Sequence, residues 1–389
     1  MPEPAQLEAT LTHLSQLISY PSVSSESNLD VIGYLDEQLR RIGARTVITT
    51  SEDGRKANVF ATLGPDADGG VVLSGHTDVV PTTGQAWTSD PFAARIDDGR
   101  VYGRGSCDMK GFLAAALAMG PHYASRQLRK PVHFAFTYDE ETGCLGAPVL
   151  IDELMRTGPR PSVAIIGEPT SMRMIEGHKG CYEFTTHVCG LEGHASLPDQ
   201  GVNAIEYAVR YLHRLLELGA DLRDRVPPGS PFDPPWPTLS VGQIEGGIAR
   251  NVIAKDCRIE WEMRPLKQSD ADYVMERIDA YARDQLLPAM RAVYADADIQ
   301  TETFAAVVGL DPEPDSKAIE LVGALTGSNT TDVVSFGTEA GLFQAAGIST
   351  VVCGPGSIEQ AHRPDEFVDI SQLEACLAML ERLTVRLEA

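Results

Sequence analysis

Five side chains of metal-ligating type stand just after short apolar runs or at a glycine-rich turn: His76 in LSGHTDVVP, Asp108 in GRGSCDMKG, Glu141 in YDEETG, Glu168 in IIGEPT and His362 in EQAHRPDEF. Together they make up most of a two-metal hydrolase site, in which paired cations polarise a carbonyl and acidify water. They are scattered over nearly the whole chain, so only a fold can bring them together.

Each cluster has its own logic. His76 and Asp78 are two apart, so on an extended strand both side chains leave one face and Asp78 can orient and polarise the imidazole. Asp108 lies in a turn where Gly103, Gly105 and Gly111 permit backbone geometry closed to other residues. It suits a helix N-cap, and also a carboxylate that bridges two cations with its two oxygens. Asp139, Glu140 and Glu141 are consecutive carboxylates after the apolar FAFTY, and they repel one another unless cations or hydrogen bonds compensate. Neighbouring side chains diverge, so one glutamate can bind metal while the other reaches the water being activated. Glu168 follows SVAIIG and precedes Pro169, and His362 follows the Gly-Pro-Gly turn at 354–356. The remaining histidines, including His13, His122, His133 and His213, lack such context and read as surface or core residues.

The elements that must position these residues follow from periodicity. Leu7, Leu11, Leu14 and Ile18 recur at helical spacing, and Val31, Ile32, Leu35 and Leu39 mark a second helix that Gly43 stops. Continuous apolar runs at 71–73, 132–136, 163–166 and 350–353 alternate with helical stretches such as 112–119. That pattern predicts an α/β fold with a mixed, largely parallel buried sheet and flanking helices. Ligands of such sheets bind beyond the carboxyl ends of the strands, where these clusters fall, with Asp108 preceding its helix.

Between about 180 and 309 the character changes. CYEFTTHVCG, TLSVGQIEGG, DCRIEWEMRP and DIQTETFAAV read as strands, several with the alternation of a half-exposed sheet. Ile205, Ala208, Val209, Leu212 and Leu216 line one helix face, a second helix is expected over about 270–294, and the Pro-rich stretch 227–237 reads as a loop. The expected organisation is a catalytic metal-binding domain of residues 1–179 and 310–389, interrupted by an inserted α+β domain of residues 180–309. The chain re-enters the first domain through a helix at 317–325.

Composition bounds the function. With 389 residues, 43% hydrophobic and 22% charged, the chain has material for a packed core and length for two domains. Its net charge of -23 repels phosphate backbones and anionic lipid, which argues against nucleic acid or a membrane surface as the main partner. No basic segment followed by an apolar one opens the chain, and no run approaches the roughly 18 apolar residues needed to span a bilayer. A cytoplasmic protein is expected. Cys107, Cys144, Cys181, Cys189, Cys257, Cys353 and Cys376 are widely spaced without a C-x-x-C pair and read as reduced, mostly buried residues.

These motifs, in this order, resemble the co-catalytic metal-dependent deacylase and exopeptidase family that includes aminoacylase, carboxypeptidases and succinyl-diaminopimelate desuccinylase. The likeness runs on through IEGHKGCYE, GLEGHASLPDQGVNAIEYA, NVIAKDCRIEWEMRPL, SFGTEAGLFQAAGI and VVCGPGSIEQAHRPDEF, and covers nearly the full chain. It implies His76, Asp108 and Glu168 around one divalent ion and Asp108, Glu141 and His362 around the other, with Asp78 supporting His76. Glu140 is implied as the general base, taking a proton from water and later giving one to the leaving amine. The ligand set has no thiolate, so zinc or cobalt is expected, with manganese compatible.

The family's inserted domain dimerises and is expected to close as a lid. The resemblance implies that the histidine of the GHASLP-like segment, here His194, enters the active site of the second subunit to stabilise the oxyanion. A homodimer is therefore part of the implied mechanism. Arg264 and Asn251 stand at family positions suited to a substrate carboxylate, with Lys179 and Thr338 as further candidates and Glu339 as a partner for a cationic side chain. A structural ion pair is the other reading of Arg264. The implied reaction is hydrolysis of N2-acetyl-L-ornithine to L-ornithine and acetate, in arginine synthesis. Alternatives are another N-acyl amino acid, such as N-succinyl-diaminopimelate, or a non-catalytic binding protein on the same fold; the latter has no need of Glu140. One departure stands out: many relatives have N-x-I-P where Ala254 follows Ile253, a change expected to alter loop stiffness more than chemistry.

Overall fold

The computed structural model describes residues 3–389, which form two compact units. One is built from the segments up to Gly177, Pro312–Val333 and Thr338–Ala389, the other from His178–Asp311 and Val334–Gly337.

An eight-stranded sheet organises the first unit, in the order Arg45–Thr50, Ala57–Leu63, Val132–Thr137, Val71–His76, Val163–Pro169, Ser349–Gly354, Met174–His178, Thr331–Val334. The four strands from Val132–Thr137 to Ser349–Gly354 are mutually parallel. Arg45–Thr50, Ala57–Leu63 and Met174–His178 pair antiparallel with their neighbours, so the sheet is mixed and largely parallel. The strands Val71–His76, Val132–Thr137 and Val163–Pro169 are buried at every position, as apolar runs covered on both faces should be. Their register aligns Val71 with both Val132 and Val163, so the carboxyl ends finish together along one edge.

The helix Lys110–Ala124 lies against this sheet. It is apolar nearly all round and buried along most of its length, as a helix without a polar face must be. Two glycines let it approach closely. A Cβ at Gly75 would stand 2.4 Å from Met109 Cε, and one at Gly167 2.0 Å from Phe112 Cγ. Each glycine immediately precedes a predicted ligand, His76 or Glu168. A small sheet of Arg95–Asp97, Arg100–Tyr102 and Phe367–Asp369 ties the chain entering the Asp108 turn to the chain leaving the His362 loop, with Phe367 opposite Tyr102.

The second unit has a four-stranded antiparallel sheet in the order Thr238–Gly246, Asp256–Arg264, Cys181–Cys189, Asp298–Val307. Burial alternates along Cys181–Cys189 and Asp256–Arg264, and the inward residues pack with helices Ala204–Arg223 and Gln268–Tyr281 in a separate core. The helix expected over 270–294 is interrupted: Gln268–Tyr281 passes into a π-helical turn, Ala282–Leu286, and resumes as Leu287–Arg291. Pro288, at the start of the last piece, has no amide hydrogen, and its ring clashes with the carbonyl four residues back in a regular helix.

Candidate metal centre

The parallel strand ends and the loops beside them bring six of the predicted side chains together. His76 closes its strand, Glu168 lies near the end of the adjacent one, and Glu140 and Glu141 follow Val132–Thr137 in a loop whose Asp139 has φ 53°. Asp108 precedes helix Lys110–Ala124 but does not cap it: Met109 is the cap residue, and the Asp108 side chain points elsewhere. His362 sits in a loop with φ 62°, a left-handed conformation uncommon for a residue with a Cβ.

The ligand-type atoms fall into two groups that share Asp108. In the first, His76 Nε2 is 3.1 Å from Asp108 Oδ1 and 3.8 Å from Glu168 Oε1. In the second, His362 Nε2 is 3.5 Å from Asp108 Oδ2 and 3.0 Å from Glu141 Oε2. The two oxygens of one carboxylate therefore face two different imidazoles.

Asp78 organises the cluster from beneath. The Nδ1–H of His76 donates to the Asp78 backbone carbonyl at 2.9 Å, which turns Nε2 toward Asp108 and Glu168. The carboxylate that was expected to orient the imidazole is farther away, 3.6 Å from Nδ1. Its oxygens instead accept from the backbone amides of Glu140 and Glu141, at 3.1 and 3.3 Å, and from Ser24 Oγ at 2.7 Å. It thus fixes the acidic loop as well as the histidine.

The electrostatics favour added positive charge. Burial and the charge of Asp108 push the Glu168 carboxyl well above its usual range, and burial with its acidic neighbours pushes Glu140 up to about 8. Hydrogen bonds to Asp108 and Glu141 raise the His362 imidazole to about 10. Burial opposes charge on His76, yet Asp108, Asp78 and Glu168 carry it well above the ordinary imidazole value. Glu168 Oε1 is buried with no hydrogen-bond partner, a costly arrangement for an oxygen unless a cation meets it. Oxygen and imidazole donors with a buried orphan among them fit divalent ions.

The other predicted residues have different surroundings. Glu339 is 1% exposed and accepts from Ser74 Oγ at 2.5 Å and Thr137 Oγ1 at 2.8 Å. It lies among the strands that carry the site instead of offering a free carboxylate to a substrate's ammonium, because both hydroxyls spend their protons on it. Thr338 is buried, and its Oγ1 accepts from the Ala340 amide at 3.0 Å. Lys179, His194, Asn251 and Arg264 belong to the second unit. Lys179 Nζ donates to the Pro234 and Trp236 carbonyls at 2.7 and 3.0 Å, tethering the Pro-rich loop. His194 is exposed, its strand paired with Val252–Ile253, and the Asn251 carbonyl accepts from the Ala195 amide at 3.1 Å. Arg264 is ion-paired with Glu262 at 2.8 Å, beside Glu183 and Cys181; there the arginine already supplies the cation. Arg104 and Glu366, charged residues inside the ligand motifs, are both buried and were not singled out from sequence, where an arginine between Gly103 and Gly105 was the available signal.

Among the described residues no helix is long and apolar enough to cross a membrane. The chain is 36% identical over 360 residues to an acetylornithine deacetylase of Shigella sonnei, the match covering 91% of each protein. In fold it is similar to a tripeptidase of Staphylococcus aureus, with a TM-score of 0.73 and 19% identity over 97% of this chain and 98% of that one. An M20 family metallo-carboxypeptidase of Sulfolobus solfataricus also gives 0.73, at 18% identity over 96% and 98%. A dinuclear metal-binding M20 peptidase of Bacillus subtilis gives 0.66, at 17% identity over 99% of each. Because residues 72–386 match the profile of Peptidase family M20/M25/M40, most of the sequence that builds this centre is the family's own, and the chain belongs to that family of hydrolases.

Proposed function

We propose that this protein hydrolyses the amide of N2-acetyl-L-ornithine, releasing L-ornithine and acetate in arginine synthesis. The observation that carries the substrate is the 36% identity to an acetylornithine deacetylase across 91% of both chains. The reaction class rests on the two ligand groups that share Asp108, with Glu140 beside them.

On this reading His76, Asp108 and Glu168 hold one divalent ion, zinc or cobalt, and Asp108, Glu141 and His362 hold the other. Bound there, the two ions supply Lewis acidity to the acyl carbonyl and lower the pKa of water. Glu140 takes a proton from the attacking water on its carboxylate as the new C–O bond forms, then passes a proton to the amine nitrogen as the C–N bond breaks. Asp78 keeps His76 in the right tautomer and anchors the Glu140 and Glu141 amides, so base and ligands are aimed together. Residues 180–309 act as lid and dimerisation domain. His194 stabilises the oxyanion in the second subunit's site, and Arg264 and Asn251 bind the substrate carboxylate.

The test is amine release from N2-acetyl-L-ornithine, N-succinyl-diaminopimelate and neutral N-acetyl amino acids, with protein stripped of metal and reloaded with zinc or cobalt. Metal-dependent preference for acetylornithine is the expected result. Preference for another N-acyl amino acid removes the substrate and keeps the chemistry; a folded, metal-loaded protein inert on all of them removes both.

A further inference from the structure

Glu366 lies four residues beyond His362, is 1% exposed, and spends both carboxylate oxygens on the turn that carries Asp108. Its Oε1 accepts from the amides of Cys107 and Asp108 at 2.9 and 3.0 Å, and its Oε2 from the Gly105 amide at 3.0 Å and Arg104 Nη1 at 2.7 Å. Arg104, equally buried, extends the connection. Its Nη1 also reaches the Arg363 carbonyl at 3.3 Å, and its Nη2 donates to Gln85 Oε1. Gln85 Nε2 in turn donates to the His362 carbonyl at 2.8 Å, holding the residue whose φ is 62°.

We infer that Glu366, Arg104 and Gln85 form a latch that sets the distance between the Asp108 turn and the His362 loop, and hence the geometry of the second cation group. A buried ion pair is a poor source of stability, since desolvating both charges offsets most of their attraction. Here four donors converge on one carboxylate, and every one of them comes from the Asp108 turn. What the pair secures is the relative position of two loops that supply ligands to one ion. These are positioning residues: they act through Asp108 and His362. The inference rests on the ligand set proposed above.

Cobalt(II) titration of metal-stripped protein, followed by visible absorption, tests it. Glu366→Gln turns an NH2 group toward amide donors and removes the charge opposite Arg104. The expected result is cobalt binding weaker by about 10- to 100-fold with an altered ligand-field spectrum, and a kcat lowered by a similar factor at nearly constant KM. Gln85→Ala, on a half-exposed loop, removes the hold on His362 and the oxygen that accepts from Arg104 Nη2 and Trp87 Nε1, leaves the Glu366 contacts in place, and is expected to weaken one of the two ions by roughly tenfold, with the far-ultraviolet circular dichroism unchanged. Should Glu366→Gln not fold, Gln85→Ala decides alone. Wild-type cobalt affinity and spectrum in the folded variants overturn the latch. His362→Ala separates this failure from that of the ligand set: if it too binds both ions like wild type, the ligand set is wrong and the latch falls with it.

Discussion

Asp108 is the one side chain common to both groups of ligand-type atoms, its two oxygens facing His76 and His362. Asp108→Ala should therefore abolish binding of both ions, whereas Glu168→Gln should weaken only the ion shared with His76. Metal content of dialysed protein distinguishes the two, and an Asp108→Ala variant that retains one tight ion would show that the carboxylate does not bridge. Glu140 calls for the opposite signature. Glu140→Gln should keep both ions while kcat falls by about 10²- to 10⁴-fold, the range that a positioned base supplies; unaltered turnover would remove it from the mechanism. His76, Glu140 and Glu168 stand where apolar strands end, so residue type and place agree in the sequence, whereas Asp108 is marked by its glycine-rich turn and His362 by the Gly-Pro-Gly turn before it. Glu339 and Lys179 were not readable in the same way. What they do is decided by partners 265 and 202 residues away for Glu339, and by the carbonyls of the Pro-rich loop for Lys179, and no local pattern encodes either.

Among the elements, helix Lys110–Ala124 and the strands it covers determine where the ligands stand. Gly167→Ala would drive a methyl into the Phe112 ring immediately before Glu168. Relief requires the strand or helix to shift, so a loss of about 1–3 kcal/mol in stability is expected, together with weaker binding of the ion that the proposed ligand set assigns to Glu168. Denaturant unfolding and metal titration read the two effects separately. Acid sensitivity also belongs to this scale. Burial lowers His133, in strand Val132–Thr137, and His178, at the end of Met174–His178, to about 4. Their folded values lie below the unfolded one of 6.5, so the unfolded chain binds more protons between those limits and stability falls as pH drops from about 6.5 toward 4. His133→Gln should lose less in thermal midpoint between pH 7 and pH 5 than the parent does; an equal loss would mean that His133 is not buried neutral. The covered parallel strands were legible because burial on both faces makes them uniformly apolar. The edge strand Arg45–Thr50, largely exposed, gave no such run, and the π-helical turn at Ala282–Leu286 reflects how a helical backbone accommodates Pro288, which periodicity does not report.

For the whole molecule, the change from continuous to alternating apolar pattern near residue 180 reflects two different solvation regimes, a sheet covered on both faces and a sheet covered on one. That made two kinds of sheet visible, but it carries nothing about association, because contacts with a second copy leave no period in the sequence. The proposed role of His194 supplies a test of association through activity. Its ring is exposed and hydrogen-bonded at Nδ1 to Ser196 Oγ at 2.7 Å. His194→Ala and Glu140→Ala should each be nearly inactive alone. If His194 serves the other subunit, a mixed dimer contains one complete site: the His194→Ala subunit contributes Glu140, and the Glu140→Ala subunit lends its His194. Random re-pairing makes half of all dimers mixed, each with one site of two restored, so about a quarter of wild-type activity should return on mixing, at protein concentrations where sedimentation shows the dimer. If His194 serves its own subunit, both sites of the mixed dimer lack a residue and nothing returns. Recovery therefore reports dimerisation and the crossing of His194 between subunits at once, and absence of recovery in a demonstrated mixed dimer confines the oxyanion role, if His194 has it, to a single chain.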